Sequence, residues 1–282
     1  MKMIDLGNTG SQVSQIGLGT WAIGGGPAWG GDLATQQCVD TICTAIDCGI
    51  NLIDTAPGYN FGNSEVMVGR ALEKLDRSSV VVETKFGLVW DRVGTPFNKV
   101  GDRQLYKNLS PESIREEIEA SLERLGTDYV DIYMSHWQSL EPYYTPISET
   151  MEVLNELKAE GKIRAIGAAN VSPEQVMEQG LLTGTIGKDY VPEGARANKK
   201  WFQKGNLERV VDMLDSWKPL CEKYHCSIPT LALAWILAQG DFITILSGST
   251  TPDQVRENIG AVQIELSQED AKWMREQAEA LD

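Results

Sequence analysis

Long apolar runs are missing from this chain of 282 residues: none approaches the length of a membrane span, and the opening Met1-Lys2-Met3-Ile4-Asp5 has no secretory apolar core. Basic residues are scarce as well. Twenty-five Lys and Arg stand against 40 Asp and Glu, a formal charge of −15 spread along the chain. Nucleic-acid binding needs a basic patch or stripe, so neither nucleic acid nor membrane is an expected partner. An anionic cofactor remains compatible, because backbone amides and one or two arginines hold phosphates inside a negative protein. Cysteine is limited to Cys38, Cys43, Cys48, Cys221 and Cys226, with no Cys-x-x-Cys pair. That pattern reads as ordinary thiols in a reducing compartment, not as metal ligands. No Gly-x-Gly-x-x-Gly turn follows the first strand either, since Gly24-Gly25-Gly26 lacks the spacing. The expectation is a cytoplasmic protein with no metal site, and a monomer, because no coiled-coil repeat or apolar assembly element is visible.

What is present is a rhythm. Residues 2–14 read as a hairpin turning at Asn8-Thr9-Gly10. Strands are then expected at 16–19, 50–55, 80–85, 129–134, 163–168 and 242–246. Helices are expected at 34–48, 64–75, 110–125, 145–161, 171–178, 206–224, 230–239, 252–258 and 267–280. The stretch 86–109, with Trp90, Arg92, Phe97, Arg103 and Tyr106, reads as a loop without regular structure, long enough to serve a site. Short apolar strands alternating with amphipathic helices predict a parallel α/β protein in one domain, 1–282. Asp54, Lys85, His136 and Asn170 punctuate strand C-terminal ends, which converge on one mouth in a barrel and spread along a crevice in an open sheet. Order alone does not separate the two. After residue 178 the rhythm breaks, leaving six core strands where a closed barrel of this kind needs eight.

The constellation Asp54, Tyr59, Lys85 and His136 carries chemistry if those ends meet. A tyrosine is a poor acid or base near neutrality until a neighbour changes its affinity for the proton. An ammonium at Lys85 favours the phenolate, a carboxylate at Asp54 keeps that ammonium charged, and His136 can hydrogen-bond the same carbonyl oxygen. Singly, each residue has a plainer role: a tyrosine after a Pro-Gly turn packs or faces solvent, a His-Trp pair sits at a rim, a strand-end lysine snorkels.

The motifs together resemble the aldo-keto reductase family over nearly the whole chain. Gly17-Leu18-Gly19-Thr20-Trp21 is similar to its first-strand motif, and Asn51 to Tyr59 to its aspartate-and-tyrosine signature, continued by Gly62-Asn63-Ser64-Glu65. Lys85 falls at its strand-three lysine, Asp131 to Trp137 resembles its histidine motif, and Gly161 to Gly167 its fifth strand. The resemblance implies a (β/α)8 barrel with an N-terminal hairpin and NADH-dependent reduction of small aldehydes or 2-oxoaldehydes by direct hydride transfer. Tyr59 would donate the proton, Lys85 would lower its pKa, Asp54 would hold Lys85, and His136 would orient the carbonyl. Asn170 would bind the nicotinamide carboxamide. Trp21, Trp90 and Trp137 would line the substrate pocket. Ser247, Gly248, Ser249, Thr250, Gln254, Glu257 and Asn258 would hold the pyrophosphate and adenosine. NADH is expected over NADPH, because the positions matching Gly248 and Gln254, where NADPH-preferring members place cations, carry no charge here; Arg256 is the cation that could reverse this.

One departure stands out. The family pattern continues after the asparagine with a sixth and a seventh strand before the Gln-Gly-Leu-Leu-Thr-Gly loop, whereas here Glu178 is joined directly to Gln179. About forty family residues are absent, so the barrel reads as incomplete. Either a segment has been excised or the protein is built without two βα units. Excision is favoured, because a true deletion exposes two strand edges and removes the ring partner of the nicotinamide. Two other functions fit the same fold: a nicotinamide-binding regulatory or accessory protein with little turnover, and a lysine-dependent lyase. Asp54 argues against the lyase, since a Schiff-base lysine must lose its charge.

Overall fold

The computed structural model describes residues 1–7, 9–138, 140–170, 182, 184, 186–192, 200–238 and 244–281. The chain opens with β1 (Met3–Asp5) and β2 (Gln12–Ser14), an antiparallel pair, then β3 (Ile16–Gly19). Helices α1 (Trp21–Gly24) and α2 (Thr35–Asp47) lead to β4 (Leu52–Asp54), and α3 (Asn63–Leu72) leads to β5 (Val81–Phe86). Next come β6 (Leu88–Val89), β7 (Thr95–Val100) and β8 (Arg103–Lys107), then α4 (Pro111–Leu125), β9 (Val130–Ser135), α5 (Ile147–Ala159) and β10 (Ile163–Ala168). The C-terminal part holds α6 (Asn206–Ser216), α7 (Lys218–Tyr224), α8 (Ile228–Leu237), β11 (Ile245–Gly248), α9 (Pro252–Ile259) and α10 (Gln268–Glu279). No helix of the described residues is long and apolar enough to cross a membrane.

Six strands form one parallel sheet in the order β10-β9-β5-β4-β3-β11. Each strand lies beside its predecessor in the chain, and the last, β11, returns to pair with β3 from Ile245↔Ile16 to Gly248↔Gly19. That is the arc of a barrel, in which last and first strands are neighbours; a doubly wound sheet reverses its order midway. Among the described residues β10 and β11 end the arc, so two strands of an eight-stranded ring have no counterpart there. The helix expected at 171–178, most of the loop after it, and residues 242 and 243 lie outside the described residues.

Side chains alternate across this sheet with period two. Val82 and Phe86 of β5 and Tyr133 of β9 join Val68, Ala71, Ile114 and Ile118 of the surrounding helices. On the opposite face Leu52, Val81, Ile132 and Ala165 pack with Val13, Ile4 and Leu6 of the hairpin, which closes the strands' N-terminal ends. A further cluster, including Phe202, Leu207, Trp217, Leu231 and Met274, packs the C-terminal helices.

The structure corrects two expectations. The stretch 86–109 is not irregular: β6, β8 and β7 form a three-stranded antiparallel sheet. Val100 and Arg103 pair across the two-residue turn Gly101-Asp102, where Gly101 has φ 60°, a conformation glycine adopts without steric cost. The helix expected at 206–224 is two helices meeting at the fully buried Trp217. Pro219 cannot donate an N–H to the Asp215 carbonyl and its ring crowds that oxygen, so the first helix ends and Pro219 starts the next.

Candidate active site

The ladder runs past the strands to build a mouth: Thr55 N–H donates to Glu83 O (2.9 Å), His136 N–H to Phe86 O (2.9 Å) and Ala169 N–H to Ser135 O (2.8 Å). Beyond Asp54 the chain must turn back over these ends. Asn60, Phe61 and Gly62 do this with successive φ values of 53°, 54° and 87°. Left-handed backbone at a residue with a Cβ costs roughly 1–2 kcal/mol, so the turn needs external support. Asn60 and Asn63 supply it, each donating from its amide to Gly24 O at 2.9 Å.

The turn lowers Tyr59 onto Lys85. The Tyr59 hydroxyl lies 3.1 Å from Lys85 Nζ and 3.5 Å from Asp54 Oδ2. Lys85 also donates to Asp54 Oδ1, in a buried ion pair, and to Thr55 O at 3.0 Å. The His136 ring meets Tyr59 edge to face, centroids 5.6 Å apart, and its buried Nδ1 has no hydrogen-bond partner among the described residues. Asn170, at φ 56°, donates from its amide to His136 O at 2.7 Å. Tyr59, Lys85, Asp54, His136 and Asn170 are thus contiguous.

Electrostatics assign protonation states. Burial works to lower the Lys85 pKa, but Asp54, Tyr59 and Glu83 together hold it well above the ordinary lysine value, so it stays an ammonium and is no Schiff-base nucleophile. Burial, then the Asp54 charge, push the Tyr59 phenol up to about 12. Lys85 pulls the other way, as expected, yet the net direction is opposite to the one expected: the phenol keeps its proton. Burial, helped by the Lys85 ammonium, holds His136 well below its ordinary value, so its imidazole is neutral.

Among the rings, Trp21 stacks on Tyr59 at 6.0 Å and meets Trp29 edge-on at 5.1 Å. Trp90 instead packs on Phe61 at 5.4 Å and Trp137 on Phe97 at 5.1 Å, which ties the three-stranded sheet to the mouth. Lys107 lies 4.9 Å from the Phe97 and Trp137 ring centres, a cation–π arrangement.

At the end of β11, Asn258 donates to Ser247 Oγ (2.6 Å) and Ser249 Oγ (3.0 Å). Gln254 accepts from Thr250 N (2.8 Å), and Thr251 caps α9 by accepting from Gln254 N (3.3 Å). The Glu257 carbonyl accepts from Thr230 at 3.2 Å, so that residue anchors α9 to α8. Gly248 is exposed, and a Cβ there would meet nothing within 4 Å. Arg256 is paired with Asp253 at 2.8 Å.

Glu83 and Glu65 are buried carboxylates with no role assigned to them from sequence. Glu83 lies two residues before Lys85 on the same strand face, a placement that period-two alternation could have revealed. Glu65 of α3, fully buried, accepts from Thr84 Oγ1 and Arg124 Nε, both at 2.6 Å, and so grips β5 from its helix side.

The description "Aldo/keto reductase family" belongs to a family model matching residues 15–179 and 176–279, two stretches that meet where the sequence reading places the missing strands. An NADH-specific methylglyoxal reductase of Escherichia coli (strain K12) is 61% identical, covering 100% of both chains; its 325 aligned positions exceed the 282 residues here by 43. An aldo-keto reductase of Bacillus subtilis (strain 168) is 35% identical over 96% of this chain and 92% of its own. Of solved structures, a glycerol dehydrogenase from Gluconobacter oxydans superposes with TM-score 0.83 at 32% identity, covering 99% of this chain and 95% of its own. An aldo-keto reductase from Bacillus halodurans gives 0.67 at 26% identity, covering 98% and 96%. This chain belongs to the aldo-keto reductase family.

Proposed function

We propose that this chain reduces small aldehydes and 2-oxoaldehydes such as methylglyoxal to the corresponding alcohols, with NADH as reductant. The observation that carries the reading is a proton-loaded phenol at Tyr59, 3.1 Å from a lysine that Asp54 keeps charged. The name of the E. coli relative narrows the substrate and cofactor.

The residues present fit a nicotinamide dinucleotide. Ser247, Ser249 and Asn258 form one hydrogen-bonded group at the end of β11, and the bare Cα of Gly248 leaves room for close approach. Thr250 and Gln254 shape the helix start behind them and Glu257 anchors the far end of that helix to α8, while Asn170 stands beside His136 to hold the carboxamide. When bound, NADH supplies the hydride that adds to the carbonyl carbon. Tyr59 gives its proton to the carbonyl oxygen, and the Lys85 ammonium stabilises the phenolate left behind. Asp54 keeps Lys85 charged and aimed. His136, neutral, offers one N–H to the same oxygen. Trp21, stacked on Tyr59, forms the apolar wall of the substrate site, with Trp90 and Trp137 further out on the rim.

Consumption of NADH with methylglyoxal, followed at the absorbance band of the reduced nicotinamide, tests the reading. Tyr59→Phe is expected to lower kcat by about 10²- to 10⁴-fold, the usual range for losing a general acid. Retained turnover in that variant overturns the role of Tyr59. A cytoplasmic monomer remains our proposal on the sequence features alone, and light scattering on a size-exclusion column checks the mass.

A further inference from the structure

Glu83 stands outside the four-residue constellation yet is buried within it. Its side chain is 7% exposed, and Oε1 lies 3.9 Å from Lys85 Nζ. In the β4–β5 register Glu83 is directly opposite Asp54, and both carboxyls face the one Lys85 ammonium. Among the described residues, the charged and titratable groups facing it are Asp54 from β4, Lys85 from its own strand and, beyond them, Tyr59 from the turn; its partner on β9 is the apolar Ile132. With both carboxyls ionised, two negative charges would share one ammonium where water is excluded. Two buried carboxyls set opposite each other beside a single ammonium favour keeping one proton between them. Asp54 makes the direct ion pair with Lys85, so the proton belongs on Glu83. Burial and the Asp54 charge, against the pull of Lys85, push the Glu83 carboxyl up to about 8.

We propose that Glu83 is a further positioning residue of the reductase: as a neutral acid it donates a hydrogen bond to Asp54 and leaves Asp54 the sole counter-charge of Lys85. The proposal rests on Tyr59 being the proton donor. Ionisation of Glu83 adds a negative charge beside Tyr59, tightens its hold on the proton and makes it a poorer acid. Reduction then weakens in a step that precedes the ionisation of the tyrosine itself.

The test is kcat/KM for methylglyoxal with NADH over roughly pH 6 to 10. In the wild type it is expected to fall about three- to tenfold through a step centred near 8, equivalent to a shift of roughly half to one unit in the tyrosine. Glu83→Gln, which mimics the neutral acid, removes the step, and Glu83→Asp, which still titrates, keeps one. Glu117 is a needed control, because its buried carboxyl is also pushed up to about 8 and accepts from Gly87 N–H near the same strand end. Glu117→Gln must leave the step in place; loss of the step there and not in Glu83→Gln overturns the proposal. Melting curves verify folding, and Glu83→Met, equally unable to ionise, replaces Glu83→Gln should the latter not fold. A wild-type profile flat from roughly pH 7 to 9 refutes the proposal without any variant. A step that persists in Glu83→Gln while Tyr59→Phe is inactive sinks the inference alone, whereas an active Tyr59→Phe sinks the reading beneath it.

Discussion

Adding a cation at position 248 should move cofactor preference from NADH towards NADPH. Gly248 closes β11, is exposed, and among the described residues beyond its chain neighbours has no atom within 4 Å of the place where a Cβ would stand, so a side chain can start there without a clash. The other polar candidates nearby are engaged: the cation Arg256 pairs with Asp253 at 2.8 Å, and the neutral Gln254 accepts through its amide oxygen from Thr250 N and Oγ1 at 2.8 and 3.0 Å. A charge-assisted hydrogen bond to a 2′-phosphate contributes about 1.5–3 kcal/mol in a shielded site. Solvent around an exposed side chain reduces that towards about 1 kcal/mol, or roughly fivefold in kcat/KM. Gly248→Lys is therefore expected to raise the NADPH-to-NADH ratio of kcat/KM by about fivefold, and Gln254→Arg added to it by a similar factor, at some loss of stability because Thr250 loses its partner. Arg256→Ala is expected to leave the ratio where it is. Steady-state kinetics with both nucleotides measure this directly. A wild type more efficient with NADPH, or a folded Gly248→Lys with an unmoved ratio, refutes the reasoning, and a ratio that moves in Arg256→Ala identifies the cation responsible.

Gly69→Ala in α3 would ordinarily stabilise a helix by about 1 kcal/mol. Here the new Cβ would stand 2.5 Å from the Arg124 carbonyl of α4, so the two helices must part and the melting temperature is expected to fall by several degrees; a rise contradicts the packing. Glu117 is buried between α4 and the start of the three-stranded sheet, and burial pushes its carboxyl from 4.5 up to about 8. Its folded-state affinity for the proton exceeds that in the unfolded chain, so its contribution to stability is complete below about 4.5 and is lost as pH rises through about 8. Glu117→Gln, neutral throughout, is expected to melt above the wild type at alkaline pH and not at acid pH; equal differences at both ends refute the assignment.

Much of the site could be read in advance because strand ends in a parallel barrel are marked by local signals. Asp54, Lys85 and His136 each follow an apolar run, and the Pro57-Gly58 turn announces the reversal that brings Tyr59 back. The helix starts at Ser110 and Ser267 were equally plain, and both serines cap as expected. What escaped depends on neighbours distant in sequence. Glu83 reads as an interruption in an apolar strand until Asp54 is placed across from it. The protonation of Tyr59 is a balance between burial and titratable groups on two strands, Asp54 and Lys85 foremost, and no spacing rule supplies that balance. The sheet at 88–107 was missed for another reason: β7 is largely exposed and β8 only partly buried, so neither shows the apolar alternation of a core strand, and the Gly101-Asp102 turn was the one available signal.

The grip of Glu65, itself held by Arg124, on Thr84 has a consequence for the face of β5 that does the chemistry. Side chains on a strand alternate, so sliding β5 by a single residue would turn Thr84 and Phe86 into the mouth and bury Glu83 and Lys85 against the helices. The barrel interior alone offers weak protection against that slip, because its polar groups could find other partners. The helix side adds protection: Thr84 donates to the buried Glu65, a bond lost on slipping, and a carboxylate brought to that place would be repelled by the Glu65 charge. Thr84 thus acts as a key cut for one lock, and the alignment of the proton donor is secured from behind, by residues that never meet the substrate.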